Sequence, residues 1–515
     1  MKKRSNRFIS FIKNNWYFVL LIIPFVFFCI ENRTPDNDIW FLLTNGRYVL
    51  NHGIPHIDPF SIHEGLHYVM QQWLSSVIFY GVYKLLSKYG LLILVTIVYA
   101  LINFIYYKLC KVVTNDKKIS LVITTIVMIL SQGYIVTRPQ IFTFLILLLE
   151  LLCMEKYIRT NDGRKLVWMP LLSVLLINMH ASMWLLQFVF MLPVLCNCIK
   201  IKGITVDKIR FKPLFITIVL MLLGGFINPY GYEAITFVFK TYGIPEINEL
   251  VTEMVATNFS MFHWKLAVLL LLTIIGLITI NKKVKLDIRD ILFVCGSFLF
   301  ASMHGKCIIY FIWYSGFILA KILSCYEDFA VVKDITKVFK KKLVINITRG
   351  LTIGLTGCLI FTFFFTSVEL VKNYRMETND VGDIVDYIVD HYDVDNVVLF
   401  IDFTEGGYSE FRGIKSYIDP RAEVFHDKLN KKENIIKEYL ALYHNSLSYE
   451  YFLDKYEFTH LIVLHSKDFS EYLMNNDNYK NEYTTYMDMN KQVPYYELYV
   501  RNDVSINGDA NEKDS

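Results

Sequence analysis

Charged residues are scarce in this chain: they make up 19% of its 515 residues, and their signs nearly balance, with a net charge of +4. No loop combines clustered Lys or Arg with interleaved aromatic residues, the pattern typical of nucleic-acid binding, so the sequence argues against such a partner. Hydrophobic residues make up 54% of the chain instead. That is more than the wetted surface of a soluble domain accommodates. The composition predicts an integral membrane protein.

Several common motifs are also missing. The chain has nine cysteines, but none follows Thr366 and none forms a Cys-x-x-Cys pair, which argues against a disulfide framework in the tail and against structural zinc. The absence of a glycine-rich phosphate loop argues against an enzyme that binds a nucleotide-sugar. No small-x-small cleavage site follows the first apolar run, Trp16 to Cys29. We therefore predict that this run is an uncleaved signal anchor.

Apolar runs of roughly 17–25 residues, the length that crosses a bilayer, recur through the first three quarters of the chain. About eleven spans are predicted, with centres near Leu21, Ile97, Val127, Leu147, Val174, Phe190, Leu220, Leu271, Phe298, Ile312 and Leu359. The shorter, mixed segment from Trp73 to Leu86 is interpreted as an interfacial helix. With a cytoplasmic N-terminus, the Lys and Arg residues then collect in the cytoplasmic loops, as the positive-inside rule requires.

This topology divides the chain into regions. Residues 1–370 are predicted to form the transmembrane domain, with a large first outer loop at 31–72. Residues 371–505 are predicted to form a small domain outside the cytoplasm, and residues 506–515 a disordered tail. The fold class is therefore an α-helical polytopic membrane protein of the cell membrane with an extracytoplasmic α/β C-terminal domain.

The local patterns of the C-terminal domain mix helix and strand. An amphipathic helix is predicted from Asp383 to His391. Strands are predicted at Asn396–Ile401, Lys415–Ile418 and His460–Leu464, because each is a short run rich in apolar or aromatic residues.

Unusual polar residues collect at span ends on the predicted outer face. They come from distant stretches of sequence, and polar or charged groups near the membrane are costly unless they pair or line a water-filled cavity. Their shared side therefore predicts a cavity open to the outside. The residues are Asp36, Asp38, His56, Asp58, Arg138, Gln140, His180, Asn228, Tyr230, His304 and Lys306.

The residue types in this set suggest chemistry on a phosphorylated substrate. Asp36 and Asp38 are two residues apart. Either carboxylate could take the proton of an acceptor hydroxyl, or the pair could hold a divalent cation such as Mg²⁺ or Mn²⁺. Arg138 and Lys306 could bind a phosphate and stabilise its charge as a bond breaks.

Plainer interpretations stay open for the same groups. Asp38 could cap the helix that begins near Ile39, and the two cations could be interfacial anchors. Asn228 to Gly231 is a favourable turn sequence. The two histidines of the set, in contrast, suggest chemistry: His180 and His304 could assist proton transfer or hydrogen-bond a leaving group.

The motifs also occur in a characteristic order. They are Asp36-Asn-Asp38-Ile-Trp40, Asp58-Pro-Phe-Ser61, Arg138-Pro-Gln140, Asn178-Met-His180, Asn228-Pro-Tyr-Gly231, Gly406-Gly-Tyr408 and Ile418-Asp-Pro-Arg421. This order resembles that of bacterial membrane glycosyltransferases of the GT-C type, over most of the chain up to about residue 425. One departure is His304-Gly-Lys306, where related sequences often carry arginines.

The resemblance implies an enzyme that moves a sugar from a polyprenyl-phosphate-linked donor to a cell-envelope glycan or glycolipid outside the cytoplasm. It implies that Asp36 or Asp38 is the catalytic acid or base and that Arg138 lies near the donor phosphate. A transporter or flippase of lipid-linked saccharides is an alternative, although transporters usually carry internal repeats and polar residues at mid-membrane depth. A polysaccharide polymerase or ligase and a non-catalytic envelope protein are two others.

Overall fold

The helices of the N-terminal region follow the predicted apolar runs. The computed structural model describes residues 20–31, 34–199, 209–250, 256–281, 284–326, 342–378, 381–465, 467–487 and 492–506. In the first part of the chain the helices are α1 Ile22–Ile30, α2 Asp38–His52, α3 Trp73–Thr114, α4 Lys117–Ser131, α5 Gln140–Thr160, α6 Met169–Met179, α7 Leu186–Cys196, α8 Phe211–Gly224, α9 Tyr232–Thr241, α10 Pro245–Leu250, α11 Phe262–Ile280, α12 Ile288–Met303, α13 Ile308–Ser324 and α14 Lys342–Asn373.

Every predicted span centre from Ile97 to Leu359 lies inside one of these helices. Among the described residues, three helical stretches combine the length and the apolar composition that crossing a bilayer needs: Trp73–Thr114, Phe262–Ile280 and Gly305–Ser324. Two shorter apolar stretches are Ala181–Cys196 and Phe211–Gly224. The eleven-span count and its orientation stay predictions.

Helix α3 is interrupted near its first third. Ser87 has φ 52° and ψ −150°, outside the helical region, so the segment from Trp73 to Leu86 and the apolar segment after it are two helices joined at a kink. The following Gly90 lies where the chain folds closely on itself, because a Cβ there would be 2.3 Å from the carbonyl oxygen of Val82. The sequence-based division of this stretch into an interfacial helix and a span therefore coincides with a real break.

The predicted first outer loop is largely structured. It contains α2, which begins at Asp38 and carries a buried row of side chains from Ile39 to Gly46. Gly46 lies against α3, where a Cβ would be 2.1 Å from the backbone oxygen of Ser76. The segment between α2 and α3 pairs with itself at Ile57 and His67.

The C-terminal region is a four-stranded sheet with helices. Its helices are α15 Gly382–His391, α16 Gly406–Phe411, α17 Asp427–Asn430, α18 Ile435–Tyr443, α19 Tyr449–Tyr456 and α20 Asp468–Met474, and its strands are β1 Leu399–Phe400, β2 His460–Leu464, β3 Tyr479–Tyr486 and β4 Pro494–Arg501. The strand order is β1-β2-β4-β3. Strands β1 and β2 are parallel, with Leu399 opposite His460, whereas β4 is antiparallel to both of its neighbours.

One strand prediction in this domain is wrong. The segment from Lys415 to Ile418 is not a strand: Ser416 forms only single bridges, one to Leu399 at the edge of the sheet and one to Ser61 of the first outer loop. The segment is extended because it lies between two partners, each of which it meets at one residue. Strands β3 and β4 were not predicted from the sequence, and the tail predicted for residues 506–515 lies, apart from Ile506, outside the described residues.

Candidate active site

Two predicted acids and a predicted arginine meet in one cluster. The Arg138 guanidinium places Nε 2.6 Å from Asp36 Oδ2 and a terminal nitrogen 2.9 Å from Asp38 Oδ2. Asp36 precedes α2 and Asp38 begins it, while Arg138 lies in the turn that leads into α5. All three side chains are partly exposed. Arg138 therefore pairs with two carboxylates that lie about a hundred residues earlier in the chain.

The residue between the two acids fixes them to the C-terminal domain. Asn37 is the N-cap of α2 but makes no side-chain capping bond. Its Nδ2 instead donates to the Thr404 carbonyl oxygen at 2.6 Å and to Glu405 Oε2 at 3.0 Å. The simple capping interpretation of Asp38 is therefore not what organises this helix start. The acid pair lies at a junction of the first loop, the turn before α5 and the loop after β1.

One carboxylate oxygen of the cluster lacks a donor. Asp36 Oδ1 is buried and has no hydrogen-bond partner among the described residues. A buried acceptor in this state costs about 1–3 kcal/mol. A hydroxyl group that donates to this oxygen relieves that cost, so the position suits a proton-donating substrate.

His180, another predicted site residue, contacts α5. It lies in the turn between α6 and α7, and its Nδ1 is 2.9 Å from Oγ1 of Thr143 in α5. Burial lowers the pKa of His180 to about 3, and the positive charge of Lys306 contributes to the same shift. His180 is therefore neutral at ordinary pH, and it acts as a hydrogen-bonding group rather than as a cation.

Lys306 is linked to the cluster through the segment before α5. Tyr134 donates to the carbonyl oxygen of Gly305 at 3.5 Å, and Arg138 follows four residues later. Four residues reach at most about 14 Å, so the chain itself keeps this end of α13 close to the acid pair. Gln140 lies in the same stretch and donates to the Tyr134 carbonyl oxygen at 3.4 Å.

A buried arginine joins the first outer loop to the C-terminal domain. Arg421 is 2.6 Å from Asp58, 3.1 Å from Glu410 and 2.5 Å from Asp419, and each of these four side chains is at most 1% exposed. Its guanidinium also lies 4.9 Å from the ring centre of Phe60 and 5.1 Å from that of Tyr68. The Asp58-Pro-Phe-Ser61 and Ile418-Asp-Pro-Arg421 motifs therefore form one buried joint.

Comparisons with known proteins give structural matches only. No family model matches the chain, and no curated protein matches it. The archaeal oligosaccharyltransferase AglB from Archaeoglobus fulgidus, solved with an inhibitory peptide and a dolichol-phosphate, superimposes with a TM-score of 0.61 at 10% identity, over 94% of this chain and 74% of that one. The Archaeoglobus fulgidus oligosaccharyltransferase tethered to an acceptor peptide gives 0.58 at 11%, with the same coverage. ArnT from Cupriavidus metallidurans in the apo state gives 0.51 at 10%, over 96% and 98%.

The chain shares the fold of these structures. At these identities the likeness establishes the fold, and the predicted fold class, a helical protein with a small sheet domain, is confirmed at that level. The acid pair and Arg138 lie within this shared fold, at the junction of the first loop with the C-terminal domain.

Other predicted site residues build that framework. Tyr230 donates to the Pro55 carbonyl oxygen at 2.8 Å, and its ring meets the edge of His56. Asn228 closes its own turn, with Nδ2 bonded to the Gly225 and Gly231 carbonyl oxygens. These groups, like Asp58, hold loops in place.

His304 lies at the end of α12. Its Nε2 is 3.2 Å from the hydroxyl group of Tyr242, and its ring also meets the edge of the Tyr242 ring. Tyr242 follows α9, so this contact joins the C-terminal ends of α9 and α12. The His304 ring therefore contacts the residue after α9, while the adjacent Gly305 contacts Tyr134 in the segment before Arg138.

The acid pair does not fit a divalent cation as it is arranged. The Arg138 guanidinium occupies the space between the carboxylates, and the described residues contain no group of three or more His, Cys, Asp or Glu side chains placed to hold a metal ion. A cation at Asp36 and Asp38 requires Arg138 to move and further ligands to be supplied.

Two important residues were not predicted from the sequence. Asn37 is only the spacer between the two acids of the loop motif, and Glu410 is not among the predicted site residues. The signal for Asn37 was its position inside the loop motif. For Glu410 the signal was its place two residues after Gly406-Gly-Tyr408, in a helix whose first turn packs against Trp40.

Proposed function

We propose that the chain is a membrane glycosyltransferase that moves a sugar from a polyprenyl-phosphate-linked donor to a cell-envelope glycan or glycolipid. The observation that carries the proposal is the meeting of Asp36, Asp38 and Arg138 within a GT-C fold. AglB was solved with a dolichol-phosphate, a polyprenyl phosphate, which supports a donor of that class. The reaction then takes place outside the cytoplasm, with the N-terminus inside and residues 371–505 on the outer face.

In the proposed reaction, an acceptor hydroxyl attacks the anomeric carbon of the donor sugar. The bond from that carbon to the phosphate oxygen breaks, and the polyprenyl phosphate leaves with the bonding electrons. The hydroxyl proton passes to Asp36 or Asp38, which acts as the general base. The unpartnered Asp36 Oδ1 favours Asp36 for this step.

Arg138 binds the two carboxylates first and the donor phosphate afterwards. A guanidinium binds carboxylate and phosphate groups with the same forked geometry. A donor phosphate therefore competes with the two carboxylates for Arg138, and its arrival loosens one of them. In this proposal the base becomes available when the donor is bound, and Lys306 supplies the second positive charge for the leaving phosphate.

The test is a set of charge-neutral variants in the intact protein. We expect Asp36→Asn or Asp38→Asn to lower transfer of a radiolabelled sugar from polyprenyl phosphate by about 10²–10⁴-fold, the usual loss for a general base. The same variant should remove the envelope sugar that a deletion strain lacks. Asp454→Asn, which changes an exposed acid of the C-terminal domain, is the matched control.

Membrane levels of each variant must equal those of the wild type. If both aspartate variants accumulate normally and leave the glycan unchanged while the deletion alters it, the acids are structural. Transport of a lipid-linked saccharide then becomes the better explanation. A longer or shorter envelope polymer with unchanged composition identifies a polymerase or ligase instead.

A further inference from the structure

The C-terminal domain has a cavity of about 240 Å³ beyond the ends of its two parallel strands. Asp402 follows β1 and Lys467 follows β2, so both loops leave the same edge of the sheet. In open α/β sheets, ligands bind in the crevice outside the carboxyl ends of parallel strands. The location is therefore one at which this architecture places ligand sites.

Polar groups converge in this cavity over aromatic walls. Lys467 Nζ lies 3.6 Å from Asp402 Oδ2 and 3.8 Å from the ring centre of Tyr443. Asp402 also accepts a hydrogen bond of 3.1 Å from Tyr439. Tyr443 is 52% exposed although it is a large aromatic residue, so part of its surface stays accessible beside Lys467.

The charges and the size narrow the ligand class. The lining contains two carboxylates, Asp402 and Asp468, against the one ammonium of Lys467, so an anionic ligand is disfavoured. Carboxylate, ammonium, amide and phenol groups together offer both acceptors and donors, while the ring faces suit the C–H face of a sugar. The volume is below the ~300–1,000 Å³ of pockets for drug-sized ligands, and it matches a single sugar ring.

The cavity is connected to the acid pair by a very short stretch of chain. Asp402 is two residues from Thr404, a distance of at most about 7 Å. Thr404 and Glu405 are the groups that hold Asn37, which lies between Asp36 and Asp38. A ligand in the cavity therefore lies beside the loop that positions the candidate base.

We propose that this cavity binds one hexopyranose residue of the acceptor glycan. The assignment of the bound sugar to the acceptor rests on the proposed transferase function, whereas the binding itself does not. The cavity then holds an inner unit of the glycan while the terminal hydroxyl reaches the acids.

The test is sugar binding by the full-length chain in lipid nanodiscs. Methyl glycosides of glucose, galactose, mannose and N-acetylglucosamine serve as probes, and saturation-transfer NMR gives the Kd. We expect at least one glycoside to bind, and Tyr443→Ala and Asp402→Asn each to raise its Kd about tenfold or more. Tyr451→Ala, at a tyrosine that is 57% exposed outside the cavity, should leave the Kd unchanged.

Each outcome decides one point. If no glycoside binds, or if Tyr443→Ala binds as tightly as the wild type, the cavity is not a sugar site. If Asp36→Asn abolishes binding, the sugar occupies the transfer site instead, and the proposal also fails. If a glycoside binds in the cavity but the protein transfers no sugar, the transferase function is refuted and the sugar site is supported. Transfer with a raised acceptor KM in Tyr443→Ala supports both.

Discussion

Replacing Arg421 should separate the first outer loop from the C-terminal domain. In Arg421→Met, the side chains of Asp58, Glu410 and Asp419 stay in place without their common cation, and all three are essentially inaccessible to water. Removing one partner of a buried ion pair costs about 3–5 kcal/mol because the remaining charge is uncompensated. Methionine keeps part of the packing against Phe60, so the charge effect dominates.

The measurement is thermal unfolding of the purified full-length chain, followed by protection of the C-terminal domain from protease. For a unit of this size, about 3–5 kcal/mol corresponds to a fall in Tm on the order of 10 °C. Arg412→Met is the matched control. Among the described residues, Arg412 forms an ion pair only with the partly exposed Asp386, and such pairs contribute about 0–1 kcal/mol. Adding Asp58→Asn to Arg421→Met should recover part of the loss.

Equal melting of Arg421→Met and Arg412→Met would refute this reasoning. It would mean that the buried carboxylates are neutral or solvated when Arg421 is gone, and that the loop and the C-terminal domain are held together by their apolar contacts. A fall in Tm that the added Asp58→Asn fails to reduce would assign the effect to packing rather than to charge.

Other changes give predictions of known sign. Burial, with Asp419 and Asp58 nearby, raises the pKa of Glu410. The stability that its protonated form contributes is therefore lost as pH rises through that pKa. Glu410→Gln should have the Tm of the wild type in acid and a higher Tm at more alkaline pH. Gly46→Ala should lower the Tm by several degrees because its Cβ meets the backbone of α3, whereas Gly81→Ala, with open space at its Cβ, should not. Asn178→Ala should lower the free energy of unfolding by about 1–3 kcal/mol, because it leaves the indole N–H of Trp73 without its acceptor. Thermal unfolding measures this loss.

The helical part of the fold could be predicted because its signal is local. An apolar run long enough to cross a bilayer marks a helix by composition alone, and Ile97, Leu147 and Leu271 all lie inside helices. The sheet was harder. Strands β3 and β4 are rich in tyrosine and polar residues, so neither shows a clean alternation, and Lys415–Ile418 has a strand-like composition but meets two partners at single bridges.

The acid and arginine cluster was predictable because sidedness restricts which residues can meet. Asp36, Asp38 and Arg138 were assigned to the same membrane face, and a charged group near that boundary needs a partner. The joint at Arg421 was not predictable in this way. Nothing in the local sequence relates Asp58 to a residue more than 350 positions later, since their pairing depends on how the C-terminal domain docks.

The acid pair is held from both sides by contacts that the proposed substrates would meet. On one side Arg138 belongs to the turn before α5, and in the proposed reaction the donor phosphate competes for its guanidinium. On the other side Asn37 is bonded to Thr404 and Glu405, in the loop that begins at Asp402 of the sugar-sized cavity. Asn37 makes no capping bond in α2, so its side chain is committed to the loop after β1. A ligand that shifts Arg138, or one that shifts the Asn37 contacts, would therefore move the carboxylates of Asp36 and Asp38. A donor at Arg138 and a sugar in the cavity would thus act on the same two acids.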